Sequence, residues 1–388
     1  MMKESTETDK RLRVLIMGDL PLCKFDGLSR FSEGSGNSTW LESLFPFFGK
    51  DSKIDVHWLV LSKSAQKYTS FDYSNQTIHV LPRWKKLISM LTRYYSEIRQ
   101  IKKVVNQIDP DIIHSWGSED VYTLATAGIN KPKLFTLQGC LNDYLAKLGG
   151  SFLFRLQTSF EIPSVKCFRF GTAETPMAEE QLLSLNPKLK TTIIDYGVHT
   201  RFHDTVWNPS QKPTLFYAGS ICQRKGVRDM IDAFSKMKSA DVELRIAGEG
   251  ELKQELMENS PTGVRWLGML SNEQVRAELA SCWAFIMPTY ADTGPTAVKE
   301  ARVVGCPVIT TQQAGAKCYI ECGKNGFVIE SGDTEALVDS MKQVCRSKEL
   351  TVQMGNYNRK AIKEELHPAN TVDKFFRLYS EIITIYKH

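Results

Sequence analysis

The sequence predicts an α/β protein built from two doubly wound, mostly parallel sheets facing one another across a cleft, and three observations predict it. A chain of 388 residues exceeds the size at which one hydrophobic core stops growing, so two domains are expected. Short β-rich apolar runs alternate with helix-length amphipathic segments along the whole chain, the pattern of parallel strands joined by crossover helices. Midway, RFHDTVWNPSQKP (Arg201 to Pro213) is polar, carries prolines and has no period, as an interdomain linker does.

Taken in order, the strand candidates of the first half are Arg13 to Gly18, Asp55 to Leu61, Thr77 to Leu81, Asp111 to His114, Lys133 to Leu137, Cys167 to Phe170 and Thr191 to Ile194. Those of the second half are Leu215 to Ala218, Glu243 to Ala247, Val264 to Leu267, Ala284 to Met287, Pro307 to Thr310 and Gly326 to Ile329. The expected domains are residues 1–205 and 212–368. Residues 369–388, amphipathic from Thr371 to Tyr386, are expected to cross back to the first domain. Open parallel sheets bind ligands outside the carboxyl ends of their strands, so two facing sheets enclose a cleft lined by loops from both.

Composition excludes several classes. A net charge of +5, from 49 basic and 44 acidic residues, is too small a bias to argue for nucleic acid as partner. Nine cysteines are scattered, and Cys318 and Cys322 have no second pair or histidines to match them, so reduced thiols are expected instead of a disulfide or zinc framework. The opening MMKESTETDK is polar, Val14 to Met17 is too short for a signal h-region, and nothing reaches bilayer-spanning length, so a cytoplasmic location is expected.

The segment Trp84 to Ile108 differs in kind. Trp84, Leu87, Ile88, Leu91, Tyr95, Ile98, Ile101, Val105 and Ile108 form a helical stripe, with Arg83, Lys85, Lys86, Arg93, Arg99, Lys102 and Lys103 around the remainder. It fits a crossover helix with a solvated basic face, or a helix that meets anionic lipid headgroups at the inner face of the plasma membrane.

Chemistry concentrates between Leu215 and Ile309. LFYAG, ending at Gly219, opens into SICQRKG, so Arg224 and Lys225 lie on a loop after a strand and just before a helix, Val227 to Lys238, whose amino end favours anions. Two cations there can hold two phosphates and neutralise a departing diphosphate. Downstream, ADTGPTAVKEARVVGCPVIT places Glu300 in a helix, Pro295 to Val304, with Asp292 and Gly294 ahead of its start. A carboxylate in that helix can accept bonds from vicinal hydroxyls, and the amides around Thr296, Ala297 and Val298 are free for phosphate oxygens. The competing reading is an N-cap aspartate and an exposed glutamate.

GSICQRKGV, LRIAGEGEL, VRWLGML and DTGPTAVKEARVVGCPVITT resemble a glycosyltransferase of family 4 with the GT-B fold, with fainter matches in RVLIMGDL and PDIIHSW. The resemblance spans about residues 11–380 and is strongest in the second half. It implies a retaining transfer from a nucleotide-diphosphate sugar, with Arg224 and Lys225 on the diphosphate, Glu300 on the ribose, Asp292 on donor-sugar hydroxyls, and Met269 and Leu270 bordering the nucleobase. Asp292 stands where the family's Glu-x7-Glu element has its first glutamate.

The first half offers weaker candidates. GSGNSTW brings Gly36 and Asn37 ahead of a helix, where backbone can approach phosphate and sugar, or forms a surface loop. His114 ends a strand, where a cleft residue is expected, and the family positions donor sugar with a histidine there; Trp116 replaces the second histidine of that pattern. A buried, hydrogen-bonded histidine is the alternative. Glu119, Gln138 and Glu174 are acceptor-side candidates near strand ends. No D-x-D stands at a cleft position, so the cations are expected to replace a metal, and no cofactor is expected beyond the donor co-substrate. The expected acceptor is a glycan or lipid-linked glycan for cell-surface polysaccharide; a sugar-nucleotide-binding regulatory protein and a sugar-nucleotide epimerase are the alternatives.

Overall fold

The computed structural model describes residues 11–31, 39–239, 241–362 and 364–387. Its first sheet contains β1 (Leu12–Met17), β2 (Ile54–Ser62), β3 (Thr69–Tyr73), β4 (Gln76–Pro82), β5 (Ile112–Trp116), β6 (Lys133–Thr136), β7 (Phe170–Ala173) and β8 (Lys190–Ile193). They lie in the order β3-β4-β2-β1-β5-β6-β7-β8, all parallel except β3, which runs against β4. The second sheet, β11-β10-β9-β12-β13-β14, is parallel throughout. Its strands are β9 (Thr214–Ala218), β10 (Glu243–Ala247), β11 (Val264–Gly268), β12 (Ala284–Met287), β13 (Val308–Thr311) and β14 (Gly326–Ile329). Strand order reverses between β1 and β5 and between β9 and β12, so each sheet opens a crevice there, at its carboxyl edge.

Local chemistry explains the match and the misses. Val14 to Met17 and all of β5 are buried, as strands covered by helices on both faces must be. The strand β3 was not expected. TSFDY is a half-exposed edge, tied to β4 by a turn in which Ser74 and Asn75 are both left-handed, with φ of 50° and 61°; that geometry suits a tight hairpin, and no glycine announces it. The strand expected at Cys167 begins instead at Phe170, because Asn186 Nδ2 binds the carbonyls of Val165 and Phe168 and holds the preceding residues in a turn.

The helix Pro368–Lys387 packs against the first sheet and buries Phe375, Tyr379 and Ile382 in its core. The Phe375 ring lies 5.0 Å from His114 and 5.2 Å from Trp116, large apolar contacts that tie the chain's end to its beginning. Between the lobes, Thr175 Oγ1 donates to the Thr293 carbonyl at 2.8 Å, and the Thr293 hydroxyl donates to the Gln138 carbonyl. The wholly buried Lys299 ammonium pairs with Glu174 at 2.7 Å and donates to the Tyr196 carbonyl at 3.2 Å. These bonds lay the ends of β6 and β7 against the loop after β12.

The basic segment is two helices where one stripe was expected. Lys86–Leu91 and Tyr95–Ile108 are separated by left-handed Arg93 and Tyr94. Ile101, Val105 and Ile108 are core, whereas Trp84, Leu87, Ile88, Leu91 and Tyr95 are exposed. The crossover reading thus fits the second helix only. Among the described residues, no helix is long and apolar enough to cross a membrane.

Candidate active site in the interlobe cleft

Three hollows run in series through the cleft. The first, about 490 Å³, is lined by Gly219, Arg224, Lys225, Glu249, Met269, Leu270, Asn272, Thr296, Ala297 and Glu300, a volume typical of small-molecule sites. The second shares Arg224, Lys225 and Thr296 with it and adds Trp40, Glu119, Gln138, Tyr144, Glu174, Asp292, Thr293 and Gly294. The third shares Glu119 and Gln138 with the second and continues to Asp19, Lys63, Arg83, Trp84 and Asp120.

The cations owe their position to a tight crossing of loops. After β9 the chain makes one short helical turn, Gln223–Lys225, then Gly226 at φ +67°, then the helix Val227–Met237. A Cβ on Gly226 would meet the Pro288 carbonyl at 2.0 Å, so only glycine allows the contact. The Arg224 carbonyl accepts from Tyr290 N at 2.8 Å and from Thr289 Oγ1 at 2.9 Å. Arg224 Nη1 donates to the Ala291 carbonyl at 2.8 Å and approaches Asp292 Oδ2 at 3.4 Å; Lys225 Nζ pairs closely with the same oxygen. Burial pushes the Asp292 carboxyl up, yet Lys225 and Arg224 outweigh it and hold the group below the usual carboxylate range.

Two cations against one carboxylate leave a net positive centre at the border of the first two hollows. Glu300, further along the first, is pushed up to about 7 by burial, which Lys299 only partly offsets. Glu119 is pushed up to about 8, by burial first and then by Glu161 and Asp19, against the pull of backbone amides. Glu119 and Gln138 crowd Gly117, whose φ is +76° and whose added Cβ would stand 2.2 Å from Glu119 Oε2. At the end of the third hollow Arg83 bridges Asp19 and Asp120 at 2.6 and 2.7 Å.

Asp292 faces the second hollow with its charge taken up by the cations. Glu174 borders the same hollow, but its carboxylate is the buried partner of Lys299, pushed up to about 7 by burial despite that lysine, so it is an interlobe contact and not an open acceptor group. Val298 leaves the site: its side chain is core and its N–H donates to the Pro295 carbonyl at 3.0 Å, since the helix Thr296–Val304 starts tightly after Pro295. His114 leaves it too. Fully buried, it bonds Tyr379 Oη and Thr136 Oγ1, both at 2.6 Å, and burial pushes its pKa well down. The C-terminal helix covers that face, and the cleft is reached by the residues just after β5. Gly36 and Asn37 lie outside the described residues.

Sequence reasoning missed Lys299, Tyr144, Glu249 and Asn272. Lys299 was hidden by its place beside Glu300, one residue round the helix, where a lysine is ordinarily solvated. Tyr144 was hidden in NDYLAKL, an unremarkable amphipathic turn. Glu249 lies two residues past the end of β10 in AGEGE, a strand-end position that could have flagged it.

Residues 200–361 match the family model described as glycosyl transferases group 1. The chain is a glycosyltransferase whose second lobe resembles that family. This glycosyltransferase is 26% identical over 325 residues to the putative colanic acid biosynthesis glycosyltransferase WcaL of Salmonella typhimurium, covering 74% of this chain and 78% of that one. It is 21% identical over 351 residues to the capsular polysaccharide biosynthesis glycosyltransferase CapM of Staphylococcus aureus, covering 82% and 87%. Its fold matches sucrose-phosphate synthase of Thermosynechococcus elongatus with a TM-score of 0.80 at 13% identity, over 97% and 100% of the two chains. It also matches Anabaena HepE in complex with UDP-glucose with a TM-score of 0.72 at 13% identity, over 96% and 100%. The fold is GT-B, two parallel-sheet lobes about a cleft.

Proposed function

We propose that this glycosyltransferase moves a sugar from a nucleotide-diphosphate donor to a hydroxyl of a glycan acceptor in cell-surface polysaccharide synthesis, with retention of anomeric configuration. One observation carries the reading: Arg224 and Lys225 form a positive centre between a hollow that ends on Glu300 and one that leads to Glu119. The charge order along that line matches a sugar nucleotide. Nucleoside lies between Glu300 and the Met269–Leu270 backbone, diphosphate against the cations and the Thr296 and Ala297 amides, and sugar beside Asp292. The named roles of CapM and WcaL in capsule and colanic acid synthesis, and the UDP-glucose held by HepE, support the donor and acceptor classes.

Catalysis then rests on charge stabilisation. As the glycosyl bond breaks, Arg224 and Lys225 take up the charge of the leaving diphosphate. The leaving phosphate receives the acceptor proton on the same face, and positioning supplies the rest of the rate. The scheme needs no metal, so activity should survive chelation.

The acceptor is proposed to be lipid-linked and reached at an anionic membrane surface. Phe152 (74% exposed), Leu91 and Tyr95 are joined by Trp84, Leu87, Ile88 and Leu153 in an apolar face flanked by Lys85, Lys86 and Arg93. Trp84 and Lys86 also line the third hollow, so the face adjoins the site. Apolar insertion beside basic residues is the chemistry of a headgroup interface.

The test is a panel of sugar nucleotides with nucleoside diphosphate release measured for wild type and Arg224→Ala. Release that depends on Arg224 supports the reading, and release indifferent to it removes the diphosphate assignment. Sedimentation with vesicles of phosphatidylcholine, with and without phosphatidylglycerol, tests the surface; absence of salt-sensitive binding to the anionic vesicles removes it.

A further inference from the structure

The donor-lobe arginine is held by an aromatic ring from the opposite lobe. Tyr144 lies on the helix Leu141–Leu148, which follows β6 in the first lobe, and the Arg224 guanidinium carbon stands 5.0 Å from its ring centroid. The loop leading into that helix is fixed to the second lobe by the Thr293 hydroxyl on the Gln138 carbonyl. Tyr144 therefore meets Arg224 only while the lobes face as they do here. At its other end the phenol stands by Glu119: a Cβ on Gly139 would come 2.9 Å from Glu119 Oε1 and 3.1 Å from Tyr144 Oη. The ring thus spans the second hollow from the cation to the acceptor-side carboxyl.

We infer that Tyr144 is a positioning residue that completes the diphosphate clamp across the cleft, fixing the Arg224 guanidinium by its ring face once the lobes close. The inference rests on the proposed transferase reading. Arg224 spends Nη1 on the Ala291 carbonyl, which anchors one edge and leaves rotation about that edge to be restrained; the ring supplies the restraint without a competing negative charge. A guanidinium over a ring is favoured electrostatically, and a flat face allows the small slide that a leaving phosphate demands. Lobe closure and cation placement become one event, so a sugar nucleotide in an open cleft meets an incomplete clamp and is spared hydrolysis.

The test uses the full chain and whichever of UDP-glucose, UDP-galactose, UDP-N-acetylglucosamine or GDP-mannose the wild type turns over. Tyr144→Phe keeps the ring and is expected to hold kcat near the wild-type value. Tyr144→Met keeps bulk without the ring face and is expected to lose about tenfold in kcat, with donor KM changed by less than about twofold and an unchanged melting temperature. In an Arg224→Lys background, which removes the planar guanidinium, Tyr144→Met is expected to cost little more. Loss of equal size in both backgrounds, or a Phe variant as impaired as the Met variant, overturns the ring-face role. Should Tyr144→Met fail to fold, Tyr144→Trp, which keeps a ring face, and Tyr144→His decide the same question by retained and reduced kcat. If Arg224→Ala leaves turnover intact, the transferase reading itself fails; if Arg224→Ala abolishes it and Tyr144 shows no coupling, only this inference does.

Discussion

Two charge clusters line the cleft, one in each lobe, and they are built with opposite balances. In the donor lobe, Arg224 and Lys225 share a single carboxylate, Asp292, so one cation is in excess. In the other lobe, Arg83 is shared by Asp19 and Asp120, so one carboxylate is in excess, and Asp19 is pushed up to about 6 by burial and by Asp120. The first arrangement is an unfinished ion pair, which the proposed diphosphate would complete. The second is net negative and offers polar contacts without attracting a phosphate, as suits a neutral hydroxyl acceptor. The net sign of a cluster, more than its number of charges, decides which substrate end it receives.

The comparison breaks most sharply at the cations. Arg224→Ala should lower kcat/KM by about 10²- to 10³-fold, the cost of one transition-state donor, in a steady-state nucleoside diphosphate release assay. Arg83→Met should act on the fold instead. It strands two largely buried carboxylates and should cost on the order of 3 kcal/mol in denaturant unfolding, with nucleoside diphosphate affinity unchanged. A loss of nucleotide affinity in Arg83→Met would erase the distinction between the clusters.

Acidity sharpens it further. Glu119, at about 8, and Glu300 and Glu174, at about 7, all sit above the ordinary value of 4.5. The folded state therefore binds more protons than the unfolded one through this range. The stability these groups contribute is complete below about pH 4.5 and is lost as pH rises through 7 and 8. Without ligand, the melting temperature should fall as pH rises from 6 to 8, and Glu119→Gln should flatten the upper part of that decline. The smallest expected effect lies at Glu300. If its carboxylate accepts from ribose, donor KM should rise a few-fold as pH falls below about 7, and Glu300→Gln should remove the pH dependence.

The two lobes also differ in how far their sequences disclose them. Strands such as Ala284–Met287 are legible because buried parallel strands are short unbroken apolar runs, and the cation loop because QRKG must sit between a strand and a helix. The strand Thr69–Tyr73 is illegible because its pairing depends on a glycine-free left-handed turn. His114 misleads for a tertiary reason: the strand end is a cleft position only where nothing else covers it, and Tyr379, far along the chain, does. Lys299 and Tyr144 act through partners on the opposite lobe, Glu174 and Arg224, and no spacing within one segment encodes such pairs.

The proposed diphosphate site rests on a cation excess at Arg224 and Lys225, in one hollow with Glu300. Calorimetric titration of UDP, GDP, UMP and GMP into wild type and into Arg224→Ala/Lys225→Ala tests it most directly. The wild type should prefer one diphosphate to its monophosphate by at least about tenfold, and the double variant should lose this preference. Equal diphosphate affinity in the wild type and the double variant would contradict it.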